Sequence, residues 1–149
     1  PVRNIADEAE ELLEKSKAKD GKNAITVFGT TVSWEEYEKC LEDGKFLQEQ
    51  LKLNKTDSKK GVSSGVVYKF LDFANRAERL REGNIGELLQ NKKWQSHFYY
   101  IISRNIKDNE ELRDKLKSFG TSSNSENISN EKKMINSRIA VSYALYTQR

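Results

Sequence analysis

"KDGKNAITVFG", residues 19–29, is the stretch on which the fold turns. Ala24-Ile25-Thr26-Val27-Phe28 combines β-branched and aromatic residues, follows a Gly-Lys-Asn turn and leaves at Gly29, so it reads as a β-strand. A strand takes its hydrogen bonds from a neighbour, and one strand alone cannot satisfy its backbone or bury its faces. The rest of the chain reads as helix. The strand therefore leaves open where the rest of its sheet lies.

Working outward, residues 2–19 place Ile5, Ala9, Leu12 and Leu13 on one side of a helix, with acids early and lysines late, as the helix dipole favours. Downstream, Ser33-Trp34-Glu35-Glu36 has the Ser-x-x-Glu form of a capping box and opens a helix carrying Tyr37, Leu41, Leu47 and Leu51 to about residue 52. Asp43-Gly44 is a predicted weak point in it. Residues 54–64, NKTDSKKGVSS, read as a flexible loop. Val66, Phe70, Phe73, Ala77 and Leu80 mark the next helix, broken by Gly83-Asn84-Ile85-Gly86. Trp94, Phe98, Ile101 and Ile102 mark another, and Leu112, Leu116 and Phe119 a short one ending at Gly120. The segment 120–130 has too little apolar content to offset its ordering cost and is predicted flexible. Ile135, Ile139, Tyr143 and Tyr146 give a last helix. The class is mainly α: a helical bundle over 34–149, preceded by a helix-strand piece over 1–33.

Composition narrows the function classes. With 33% charged against 36% hydrophobic residues, and a mean hydropathy of -0.83, the chain has many solvated helix faces around a modest core. A net charge of +3 does not by itself mark a nucleic-acid binder. One cysteine, Cys40, excludes an internal disulfide and a four-cysteine zinc site; it reads as a packing residue and fits a cytoplasmic setting. No apolar run reaches membrane-spanning length, and the first residues lack a signal peptide's pattern. The start on Pro1 suggests a piece of something longer.

The order "IADEAEELLEKSKAKDGKNAITVF", a helix closed by lysines, a turn and a strand, resembles the end of the ferredoxin-like palm domain of GGDEF-type nucleotide cyclases. Read on through "GTTVSW", "SSGVVYKFLDF", "WQSHFYYIISRN" and "INSRIAVSYALYTQR", the chain resembles the C-terminal end of the large subunit of type III-A CRISPR (Csm) effector complexes, in the CRISPR-associated protein 10 family. The resemblance implies that residues 1–33 close the palm, the other strands of whose sheet lie outside these 149 residues, and that 34–149 form a helical domain. That domain would pack on the small subunit of the antiviral complex, with other Csm subunits, guide RNA and target RNA nearby. It also implies a parent enzyme that makes cyclic oligoadenylate from ATP with divalent metal and cleaves single-stranded DNA. This chain has neither Gly-Gly-Asp-Asp nor a His-Asp pair, since Phe98 follows His97, so it is expected to be catalytically silent and to hold no cofactor alone.

By the same resemblance, Lys17 and Lys22, flanking the palm turn, are candidates to meet the triphosphate of ATP. The alternative is a helix-end lysine complementing the dipole and a turn lysine in water. Arg76, Arg79, Lys92, Lys93 and Arg104 are candidates for nucleic-acid or partner binding, with Glu78 and Glu82 expected to interrupt the patch. A solvated face with local ion pairs is the rival reading. Trp94 and Phe98, four apart on an apolar stripe, read as core rather than as a base-stacking platform, with Tyr99 or Tyr100 outward. His97 reads as a hydrogen-bonded packing residue. The competing function class is a free-standing helical adaptor or nucleic-acid-binding protein with an incidental strand.

Overall fold

The computed structural model describes residues 8–11, 13, 23–83 and 91–148. The strand, β1 (Ala24–Val27), pairs antiparallel with β2 (Thr30–Ser33), in a register that sets Ala24 opposite Ser33 and Val27 opposite Thr30. The expectation that its partner lay outside the chain is corrected: the partner is Thr30–Ser33, reached after a two-residue turn. The turn between them hid it. Phe28 (φ 50) and Gly29 (φ 76) both adopt left-handed backbone, as a two-residue hairpin of type I′ requires, but such turns usually announce themselves as Asn-Gly or Asp-Gly. Phe28 is an unfavourable residue for that conformation. Its ring stacks on Tyr146 at 5.5 Å between centroids, a contact that offsets part of the cost.

Among the described residues the sheet has these two strands, and helices make up most of the remainder. They are α1 (Trp34–Thr56), α2 (Ser64–Glu82), α3 (Trp94–Asn105), α4 (Glu110–Lys117) and α5 (Asn130–Thr147). The protein is a mainly α helical bundle with a small strand piece. Side chains fix four of the helix starts. Ser33, Ser63, Asn109 and Ser129 accept from the amides of Glu36, Val66, Leu112 and Lys132 at 3.0–3.4 Å. The predicted cap at Ser33 is one of them.

The last helix is the axis of the bundle. α5 packs against both α1 and α2, and Met134, Ile135, Ile139, Ala140, Val141 and Ala144 are buried around most of its circumference. Close approach to α1 depends on Gly44. A Cβ built there would lie 2.8 Å from Tyr143 Cδ1, so the glycine read as a weak point is a packing requirement and α1 runs through it unbroken. α1 also continues to Thr56, beyond the predicted end, and the loop that follows folds back so that Val62 donates to the Gln50 carbonyl at 3.2 Å.

Aromatic rings fill the middle. Phe98 meets Phe70 and Phe73 edge-on at 5.1 and 5.8 Å, and Trp94 lies beside it at 6.0 Å. A smaller cluster of Val32, Cys40 and Ile139, with Ile25, Val27 and Tyr37 against it, joins the hairpin to α1 and α5. Arg138 of α5 strengthens that joint: its guanidinium reaches Glu78 (2.8 Å) and Asn75 (3.0 Å) on α2 and Thr30 (3.4 Å) on β2. The apolar-poor segment 121–129 has a polar network instead. Ser122 donates to Asn130 Oδ1 at 2.8 Å, and Lys133 reaches Glu126 at 2.6 Å. Among the described residues no helix is long and apolar enough to cross a membrane.

Candidate nucleic-acid or partner interface

α2 and α3 cross so that Arg76 and His97 meet: the guanidinium Nη1 donates to His97 Nδ1 at 2.9 Å. That contact fixes the tautomer, with Nδ1 as acceptor. From the N-cap of α3 onward, Lys93, His97, Tyr100 and Arg104 follow one another at steps of four, three and four, which places them in one row about 16 Å long. All four are exposed. Arg104 Nη1 reaches the Tyr100 hydroxyl at 3.5 Å, tying the far end of the row together. Arg76 itself is held by Asp72 one turn earlier (3.2 Å) and lies over the Phe73 ring at 5.8 Å.

The row carries cations whose local partners are weak. An exposed i,i+4 ion pair such as Asp72–Arg76 contributes about 0.3–0.5 kcal/mol, so a phosphate or a partner's carboxylate can displace it. Tyr100, 59% exposed, offers a flat ring among the charges. Arg79, one turn beyond Arg76 on α2, is exposed, as is Lys92. Of the two acids expected to interrupt this patch, Glu82 is exposed three residues after Arg79, but Glu78 does not interrupt it. It turns to the other side of α2 and pairs with Arg138 of α5, a partner that only the tertiary fold supplies.

The inward residues of α3 are core. Trp94, Phe98 and Ile102 are buried, so the stacking platform is excluded for Trp94 and Phe98. Tyr99 is half-buried, its hydroxyl bonded to Thr121 Oγ1 at 2.5 Å. His97 is hydrogen-bonded as expected but is not a packing residue, since it stands on the exposed side. Of the two tyrosines expected outward, Tyr100 is the exposed one; sequence reading missed His97 as a member of the row, although its spacing from Lys93 and Arg104 was available. Lys17 and Lys22 lie outside the described residues.

Elsewhere the chemistry is muted. Cys40 is buried, its thiol directed at the Asn136 carbonyl at 3.5 Å. Burial, and then the nearby charges of Asp43 and Glu36, push its pKa up to about 12. The thiol stays protonated and packs. Among the described residues, no three His, Cys, Asp or Glu side chains group to hold a metal ion. Compared with family models, with curated proteins and with solved structures, the chain finds no match in any of the three.

Proposed function

We propose that this chain is the C-terminal part of the large subunit of a type III-A CRISPR interference complex, and that its helical domain docks the small subunit beside guide and target RNA. The resemblance of the quoted segments motivates the identity. The observation that carries the docking role is the row Lys93-His97-Tyr100-Arg104 with half-buried Arg76 set against it: exposed Lys93 and Arg104 flank an exposed aromatic ring, on helices whose opposite faces are packed in the core. In this reading ATP, divalent metal and both activities belong to the parent subunit, Lys17 and Lys22 to its palm, and the setting is cytoplasmic. The chain contributes position rather than chemistry.

Two tests bear on it. The encoding reading frame should extend well upstream of Pro1 and carry Gly-Gly-Asp-Asp; a frame starting at Pro1 would remove the parent. Mixed with the small subunit, the chain should co-elute in size exclusion, and separate elution at micromolar concentration would remove the docking role. A second reading, a free-standing helical adaptor, is favoured by the hairpin, because β1 finds its hydrogen-bonding partner within the chain.

A further inference from the structure

Arg76 and His97 can share their hydrogen bond in one protonation state only. A guanidinium stays charged throughout the pH range of a folded protein and has N–H groups alone, so the 2.9 Å contact requires an imidazole whose Nδ1 keeps its lone pair. A proton taken up at Nδ1 turns that acceptor into a donor and sets two cations against each other. The contact must then open. Among the described residues His97 pairs with no carboxylate, so no local acid stands ready to hold the imidazolium once Arg76 has left.

The surroundings of the ring are mostly cationic. Lys93 stands one turn before it and Arg104 two turns after it, with Tyr100 between. On α2 the charged residues in line with Arg76 are Lys69, Asp72 and Arg79. Asp72 holds Arg76 Nε at 3.2 Å and the guanidinium lies over Phe73, so Arg76 has an anchor on its own helix when it leaves His97. α4, also packed on α3, contributes its charge at the far end, where Arg113 Nη1 donates to the Lys107 carbonyl at 3.4 Å.

We propose that the Arg76–His97 pair is a proton-operated latch that makes this surface bind the phosphate backbone of RNA more tightly under acidic conditions. Neutral His97 holds the Arg76 guanidinium against α3. Protonated His97 releases it and joins Lys93 and Arg104 as a third cation of the row. Both changes raise the positive charge offered to phosphates, and by linkage a bound phosphate draws a proton onto His97. The partner rests on the reading of the row as a contact surface beside RNA, whereas the latch stands on the Arg76–His97 contact.

Two measurements separate the latch from the docking reading. In the chain alone, ¹H–¹⁵N spectra follow the imidazole of the single histidine and the Nε–H group of Arg76 between about pH 8 and about pH 5.5, a span in which histidines take up their proton. The two signals should move with one midpoint. The Arg76 movement should vanish in His97→Gln, whose side-chain oxygen accepts from Arg76 at either pH. An Arg76 signal that ignores the His97 titration would overturn the latch. Affinity for the small subunit assembled with guide RNA is then measured at both ends of the range. One added cation should tighten binding about three- to tenfold at the acidic end and steepen its salt dependence by about one ion, and His97→Gln should abolish the difference. An equal acid gain in the glutamine variant, or an equal gain against the small subunit free of RNA, would overturn the proposal. No binding at either pH would sink the docking reading and the partner with it, while the latch stands or falls on the spectra of the chain alone.

Discussion

Replacing Gly44 by alanine sets two well-characterised effects against each other. In a helix interior the change contributes about 1 kcal/mol of stability through propensity and the lower entropy of the unfolded chain. Against it stands the helix crossing. The new methyl would lie 2.8 Å from Tyr143 Cδ1, 3.2 Å from its Cγ and 3.3 Å from the Ala140 carbonyl oxygen. Cγ roots the ring, so turning the ring about its own axis leaves that contact in place and clearing it takes a change of the half-buried side chain's rotamer, while the third atom is backbone. Overpacking of this kind costs about 1–3 kcal/mol, and separating α1 from α5 also loosens the contacts of Leu47 and Val141 with the shared core. The crossing wins. Gly44→Ala is expected to lose about 1–2 kcal/mol, lowering the thermal midpoint by about 3–6 °C. Urea unfolding followed by far-ultraviolet circular dichroism measures it, with an unchanged m-value as the sign that only the native state is affected. Adding Tyr143→Ala should remove most of the Gly44→Ala penalty, a coupling of about 1 kcal/mol or more in the double-mutant cycle. A Gly44→Ala chain stabilised by about 1 kcal/mol would refute the reasoning, because propensity alone would then describe the site.

Further outcomes follow from the same packing. Phe98→Ala should cost about 3–5 kcal/mol by emptying the aromatic centre, whereas Tyr100→Ala, two positions on, should stay within about 0.5 kcal/mol by the same urea assay. Gly61→Ala meets both a φ of +64° and the Gln50 carbonyl oxygen at a distance no Cβ tolerates, and should lose about 3 kcal/mol or fail to fold, read from the unfolding midpoint. Cys40 gives an alkaline signature. Its thiol ionises near its ordinary value of 9.0 when unfolded but only at about 12 when folded, so the unfolded state binds fewer protons between those values and stability must fall as pH rises through that window. Cys40→Val should flatten the decline measured in urea between pH 8.5 and 10.5.

The sequence made the helices legible because their apolar stripes are local facts. The stripe of α2, Val66 through Ala77, and that of α3 from Trp94 to Ile102 both became core. The second strand was not legible for a stated physical reason: Thr30-Thr31-Val32-Ser33 is β-prone, but the turn before it puts Phe28 in a conformation that favours glycine or asparagine. Gly44 was misread because propensity sees only its own helix, while its role is set by Tyr143, ninety-nine positions away. Arg76 and Arg79 were visible as a pair on one face. That Arg76 would meet His97, and that Glu78 would turn to Arg138, depends on how α2 lies against α3 and α5, which no periodicity encodes. The orphaned Oδ1 of Asn136 belongs to the same class, since an asparagine in a helical pattern reads as solvated until its neighbours are known.

The central claim is that the basic, aromatic row on α2 and α3 is a contact surface, and affinity for the small subunit assembled with guide RNA addresses it most directly. The chain should bind, and Arg76→Ala, Lys93→Ala and Arg104→Ala together should weaken binding by about tenfold or more, with a shallower dependence on salt. Their thermal midpoint should stay near that of the parent. Binding of equal strength and equal salt dependence in parent and triple variant would contradict the account.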